Sequence, residues 1–399
     1  MLFNTIVERI RKALDDGQFA CGVFVDLQKA FDTVDHEILL SKLEHYGIRR
    51  TALRWFKSYL SDRHQFVSVS DIRSCLKAIK HGVPQGSVLG PLLFLIFIND
   101  LQYAVKFSEI FQFADDTNLL HMSRSSESLN NEVNLDIALM YEWLIANKIA
   151  LNADKTKFIL FKSKRKPNLN NFELSIPGGD KIQPSTHIKY LGVILDENLS
   201  WQYHIQSLSQ KLRRANGALC KLRHYVPTHV LINVYHALFS SHMRYNCQVW
   251  GLANNYITKR ILILQKAAVR IITFSPFRAH SAPLFSELKI LTIFDLVKIL
   301  NILFVHKVLN KDVPDEVHNY FKFKMNNHEH KTRGWEAGCL EIPNVHTNSY
   351  GISSLSYQCI INWNAISRTY VNSVEGRLVK LNRTALKQLL TKHYSSQYH

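Results

Sequence analysis

The chain has 399 residues, 46% hydrophobic and 20% charged, enough for two to three folded domains with a sizeable core. Lys and Arg number 49 against 32 Asp and Glu, a formal charge of +17, which favours polyanionic partners, nucleic acid before anionic membrane. Six scattered cysteines without a C-x-x-C pair argue against a disulfide framework and a thiolate zinc site, and fit a reducing, intracellular setting.

Residues 2–15 place Leu2, Phe3, Ile6, Ile10 and Leu14 at helical spacing, with Gly17 as a stop. Glu8, Arg9, Arg11 and Lys12 interrupt any signal-peptide core. Cys21 to Leu27 reads as a short buried strand carrying Asp26 at its end, and a carboxylate on an apolar strand is costly unless paired or metal-bound. Helices are expected over about Asp35–Tyr46, closed by Gly47, and around Ala52–Leu60. Arg63–Ser70 and residues 75–83 read as two strands about a turn at 71–74.

Pro84-Gln85-Gly86-Ser87 then opens an apolar helix, Val88 to Leu101, with Ser87 suited to the N-cap. Its longest apolar run, Val88 to Ile98, is too short to span a bilayer and carries Gly90 and Pro91. Next come Ile110–Phe113 and Leu119–Met122, a hairpin with Asp115 and Asp116 at its tip. A solvated turn is the ordinary use of such a pair. The sharper use is divalent metal, because hard cations take carboxylate oxygens and two-metal sites drive phosphoryl displacement.

Ser126–Asn147 reads as a helix with Leu129, Val133, Ile137, Met140, Tyr141 and Leu144 on one stripe, and Thr156–Phe161 as a strand. Lys162–Pro167 is a basic loop, and residues 186–195 a strand region ending in a turn at Asp196-Glu197-Asn198. From Asn198 through Ser286 there is no Asp or Glu, while eleven Lys and Arg lie between Lys211 and Arg278. That block reads as helices over His204–Arg223, Val230–His242 and Lys259–Thr273, able to neutralise phosphates along a backbone. A further helical region runs Phe285–Leu309 and a closing helix Leu378–His393. His328 and His330 near Cys339 match no standard zinc spacing.

Several segments together resemble the reverse transcriptases of non-LTR, jockey-like retrotransposons. They are Phe24-Val25-Asp26-Leu27-Gln28-Lys29-Ala30-Phe31-Asp32, Gly82 to Ser87 with Pro91-Leu92-Leu93-Phe94, and Phe113-Ala114-Asp115-Asp116. Asn147, Leu151-Asn152, Lys155-Thr156 and Tyr190-Leu191-Gly192 follow in family order. The resemblance implies an α+β fold: a right-hand polymerase palm, an antiparallel sheet with helices on one face, followed by an α-helical thumb and a helical C-terminal region. It implies three segments: a palm with partial fingers over 1–197, a thumb-like region over 198–286 and a C-terminal region over 287–399. Only 25 residues precede Asp26, so complete fingers and an endonuclease are not expected in this chain, which looks N-terminally truncated.

By the same resemblance Asp26, Asp115 and Asp116 would hold two Mg²⁺ ions, or Mn²⁺ in their place, about 4 Å apart. Leu27, Phe31, Gln85 and Gly86 would meet the incoming dNTP, with Phe31 excluding a 2′-hydroxyl. Lys155 would protonate the departing pyrophosphate, and Tyr190, Leu191 and Gly192 would grip the primer. The implied activity is RNA-directed DNA synthesis on an RNA template from a DNA primer, with no membrane partner. The alternatives are an inactive remnant that binds nucleic acid through the basic block, and an intron-type maturase, whose helical domain after the thumb is not identifiable here.

Overall fold

The computed structural model describes residues 2–166, 172–318, 320–323, 338–370 and 378–398. It divides into two compact units, one of residues 17–191 and one of residues 3–16 with 192–399. The contact boundary therefore joins 198–286 and 287–399 in one unit and adds the first helix to it. No helix among the described residues is long and apolar enough to cross a membrane.

The first helix, α1 (Leu2–Asp15), buries Phe3, Ile6, Val7, Ile10, Ala13 and Leu14 along one stripe, as the spacing predicts. Two of its acids meet backbone N–H groups far along the chain. Glu8 accepts from the amides of Leu355 and Ser356 at 2.6 and 3.0 Å. Asp15 accepts from the amides of His346 and Thr347 at 3.1 and 2.7 Å. Orphan amides opening a helix favour a carboxylate, so α1 acts as a two-point clasp on residues 346–356.

The unit of residues 17–191 is built on a six-stranded sheet. Its strands are β1 (Phe19–Val25), β6 (Glu109–Phe113), β7 (Asp116–Ser123), β8 (Lys157–Phe161), β9 (Leu174–Ser175) and β10 (Lys181–Pro184), in the order β6-β7-β1-β8-β10-β9. Strand β1 is buried along its whole length and pairs antiparallel with β7 and β8. The sheet is antiparallel apart from the short parallel pair of β8 with β10. Between β1 and β6 the chain makes α2 (His36–His45), α3 (Arg50–Leu60) and α4 (Leu89–Ile98), and after β7 it makes α5 (Ser126–Ala146).

Cys21, Val23 and Val25 of β1 share one core with Leu39 and Leu43 of α2, Leu93, Phe94 and Phe97 of α4, and Val133, Ile137 and Met140 of α5. Alternate residues of one strand face these helices, so they cover one face of the sheet. The expected α+β sheet with helices on one face is present. Between α3 and α4 the expected pair of long strands is instead four two-residue strands, β2 (His64–Gln65), β3 (Ser68–Val69), β4 (Ile72–Arg73) and β5 (Lys77–Ala78), paired β2 with β5 and β3 with β4. Every residue in them is exposed, so no core extends the ladder.

Helix α4 is shorter than expected and passes into a 3-10 turn at Asn99–Tyr103. Ser87 still caps it, accepting from the Gly90 amide at 2.9 Å. Strands β11 (His187–Tyr190) and β12 (Val193–Asp196) flank Leu191 and Gly192, both at positive φ, where the chain passes from one unit to the other.

The second unit is helical: α6 (Gln202–Leu222), α7 (Thr228–Val234), α8 (Ser241–Arg244), α9 (Cys247–Trp250), α10 (Asn255–Ile272), α11 (Ala282–Glu287), α12 (Ile293–Leu309), α13 (Asp315–His318), α14 (Leu355–Thr369) and α15 (Arg383–Ser395). A π turn over Tyr235–Ser240 joins α7 to α8. The helical region expected over Phe285–Leu309 consists of two helices, α11 and α12, with Lys289 in the left-handed region between them. The pair His328 and His330 lies outside the described residues.

Candidate active site

The carboxylates meet because of strand register. Phe113 pairs with Asp116 across the β6–β7 turn, and Val25 pairs with Thr117 across β1–β7. One step further along both strands brings Asp26 opposite Asp116, where facing side chains lie within about 5.5 Å. Ala114 takes a positive φ of 53° to close the turn, so the acids occupy the end of one strand, the turn and the start of the next. Asp115 and Asp116 are exposed and Asp26 is half-buried.

The Asp116 carboxyl is raised above the usual carboxylate range, first by partial burial and then by the neighbouring charges of Asp115 and Asp26. None of the three forms an ion pair among the described residues. Uncompensated like charge of this kind suits a divalent cation. No group of three such side chains is preset in ligating geometry among the described residues, however. Side chains at an exposed turn reorient easily, whereas the strand register that leads Asp26 towards Asp116 is fixed by the β1–β7 ladder.

Asp26 is held from behind. Its amide donates to Thr156 Oγ1 at 3.2 Å, and its carbonyl accepts from the Asn152 amide at 2.9 Å. The motif Leu151-Asn152 with Thr156 therefore serves as a backbone splint for Asp26. Lys155, next to Thr156, is exposed and makes no ion pair with the three acids among the described residues. Asn147 is buried and caps α5, its side chain donating to the Trp143 carbonyl at 2.9 Å.

Leu27 is buried, and the half-buried Phe31 stacks on Phe94 at 4.5 Å. The Val83 amide donates to the Phe31 carbonyl at 2.8 Å, and Gln85 Nε2 donates to Asp32 Oδ1 at 2.8 Å. The segments around Phe31 and Gln85 are thus laced together. Gly82 is required there by space as well as by its φ of 89°, since a Cβ would lie 2.8 Å from the Asp32 backbone. Gly86 has open space around it, and its φ of 79° alone explains the glycine.

Tyr190 is buried and packs edge-on against Phe24 at 5.2 Å. Its hydroxyl finds no hydrogen-bond partner among the described residues. Its pKa is raised by burial and then by the Asp116 charge. Gly192 belongs to the helical unit.

Sequence reading passed over one residue that shapes the site. Asp136 of α5 is fully buried and accepts from the amides of Lys106, Phe107 and Ser108 at 2.6 to 3.3 Å. These amides directly precede β6, so Asp136 anchors the entry to the hairpin that carries Asp115. The signal was present, since Asp136 follows Val133 by three residues inside an apolar stripe.

The family described as "Reverse transcriptase (RNA-dependent DNA polymerase)" matches residues 3–195. Among curated proteins, the chain is 30% identical over 308 residues to a "Probable RNA-directed DNA polymerase from transposon X-element" of Drosophila melanogaster, covering 73% of this chain and 32% of that protein. It is 29% identical over 301 residues to the "RNA-directed DNA polymerase from mobile element jockey" of the same species, covering 72% of this chain and 32% of that one. The chain thus spans about a third of the length of the curated relatives it matches. Among solved structures, telomerase from Candida albicans in complex with a fragment of telomeric RNA aligns at a TM-score of 0.35 and 12% identity, over 79% of this chain and 52% of that one.

Proposed function

We propose that residues 3–195, which match the reverse transcriptase family and are similar to the jockey and X-element polymerases, form a reverse transcriptase domain, and that the chain extends a primer 3′-hydroxyl with dNTPs along an RNA template. The observation that carries this reading is strand register, which pairs Val25 with Thr117 and Phe113 with Asp116 and so leads Asp26, Asp115 and Asp116 to one end of the sheet. Asp26 and Asp115 would hold divalent ions, Mg²⁺ or Mn²⁺, with Asp116 as the third carboxylate. Such ions supply charge neutralisation at the triphosphate and activation of the 3′-hydroxyl.

The chain's own residues do the positioning. Phe31, propped by Phe94, offers a rigid edge against the sugar, and a hydroxyl at the 2′ position would clash with it. Gln85, tied to Asp32, and Gly86 line the nucleotide side. Lys155 stands exposed as a proton donor for the leaving pyrophosphate. Tyr190, with Leu191 and Gly192 at the following turn, supports the primer end. The acid-free helices α6 to α10 form the thumb-like region of 198–286, whose cations meet the phosphate backbone.

Primer extension on an RNA template with dNTPs and Mg²⁺ tests this. The chain is expected to incorporate, and Asp115→Asn to reduce incorporation by about 10³-fold or more, a barrier change of about 4 kcal/mol. Equal extension by Asp115→Asn would sink the assignment. A second reading, nucleic-acid binding without synthesis, draws on the absence of a preset three-ligand group among the described residues. Salt-sensitive RNA binding with no incorporation in either metal would establish it.

A further inference from the structure

The two long helices of the basic block end side by side. Asn216 of α6 donates to the Leu264 carbonyl of α10 at 3.0 Å, and beyond both helices Arg223 lies over the Phe274 ring at 4.3 Å. These pairs advance together along the sequence, so α6 and α10 run parallel and their C-termini share one end of the unit.

Phe274 is the anomaly there. The Phe274 amide donates to the Ile271 carbonyl and the Ser275 amide to the Arg270 carbonyl, the double closure that ends a helix with a left-handed residue. That residue is normally glycine, yet here it is a phenylalanine at φ 56°, half exposed at 50%. Backbone strain kept in place by a bulky, half-exposed ring asks what the ring is for. Two further aromatics stand at the same end almost fully open, Tyr225 at 83% and Phe277 at 86% exposure. Arg270 Nε donates to the Ala279 carbonyl at 2.9 Å and so holds the Phe277 loop against the end of α10.

The charges carried by these segments are all of one sign. Lys221, Arg223, Arg270 and Arg278 lie within four residues of the aromatics along the chain, Arg223 lies over the Phe274 ring, and no acid occurs from Asn198 through Ser286. Cations alone would be explained by the negative ends of two helix dipoles. Open aromatic rings would not, because they gain nothing from a dipole and cost free energy in water.

The geometry points to a stacking platform for unpaired bases of single-stranded RNA, with Tyr225, Phe274 and Phe277 taking base faces while Arg223 and Arg278 take phosphates. Every base has a π face and every nucleotide a phosphate, so this mixture grips a strand without regard to sequence. A duplex has its base faces already stacked and offers such rings nothing. The inference rests on the reading of this block as nucleic-acid-binding, and it adds a preference for single strands at one defined place.

Fluorescence anisotropy with a labelled single-stranded RNA and with a blunt RNA–DNA duplex, each across a salt series, separates the two claims. The double variant Tyr225→Ala with Phe277→Ala should bind the single strand about tenfold more weakly or worse, with duplex affinity nearly unchanged. Its salt dependence should keep the wild-type slope, since no phosphate contact is removed. Phe274→Gly should melt no lower than wild type, because glycine suits the left-handed position, and still lose single-strand affinity. If wild type binds neither ligand, the nucleic-acid reading of the block falls and this inference with it. If wild type binds both and the double variant is unchanged, or loses both equally, the platform alone is refuted. A change in self-association rather than in RNA binding would likewise refute it, marking the patch as a protein contact.

Discussion

Two loops of the molecule treat carboxylates in opposite ways. At the end of β12, the buried Asp196 accepts from the amides of Asn198, Ser200 and Trp201 at 2.8 to 3.2 Å, so three backbone donors are used to fold the entry to α6. At the β6–β7 turn Asp115 and Asp116 have no such donors among the described residues, only each other and Asp26. The lesson lies in the partners. An acid surrounded by backbone N–H groups is part of the fold, whereas Asp116, its carboxyl raised first by burial and then by the charges of Asp115 and Asp26, has no such donors among the described residues to neutralise it.

The comparison breaks most visibly at Asp136, which belongs to the first kind although it serves the second. Asp136→Ala takes the buried acceptor from the amides of Lys106, Phe107 and Ser108, and should cost about 3 kcal/mol in urea unfolding. A loss under 1 kcal/mol would show that the β6 entry does not depend on it.

The helical unit offers a comparable effect driven by pH. His204 is buried, and burial, with repulsion from Lys211 second, lowers its pKa to about 4. Its ordinary value of 6.5 is higher, so the unfolded chain binds the proton first. Stability is therefore full above pH 6.5 and drains as pH falls towards 4, by on the order of 3 kcal/mol. Melting curves between pH 7 and 4 should show this slope, and His204→Gln should flatten it.

Smaller again is the charge on α6. Lys211, Arg213 and Arg214 are charged, and all three are exposed. Replacing them with Ala should leave stability unchanged and lower the salt dependence of RNA binding by about 2 in log–log slope. An unchanged slope would remove α6 from the interface.

Asp116→Asn sharpens the comparison most finely. Because the folded carboxyl holds its proton to higher pH than an unfolded one, the folded state loses stability as pH rises through that raised value. Removing the charge should stabilise the metal-free chain, by only tenths of a kcal/mol because the group is exposed and screened. Added Mg²⁺ should raise the melting temperature of wild type more than that of the variant.

Much of this site could be read along the chain, because its markers are local in sequence. Asp26 ends an apolar run, Asp115 and Asp116 sit between two others, and Gly82 and Gly86 mark backbone that ordinary residues rarely adopt. Alternation and helical spacing likewise fixed most elements, since burial of one face leaves a period in the residues. The short exposed strands at 64–78 escaped that reading, because alternation there reflects no buried face. The division of residues 285–309 into two helices escaped it too, because both halves are apolar and no period marks the break.

What only the tertiary structure decided is who stands beside whom. Strand register set Val25 against Thr117 and so led Asp26 towards Asp116, and ring packing set Tyr190 on Phe24 of the same strand. The backbone bonds of Asn152 and Thr156 to Asp26 turned a remote motif into its support. The clasp of Glu8 and Asp15 on residues 346–356 joined the first helix to the last third of the chain. Such pairings depend on hydrogen-bond and packing partners from 90 to more than 300 residues apart, and residue spacing along a chain carries no record of them.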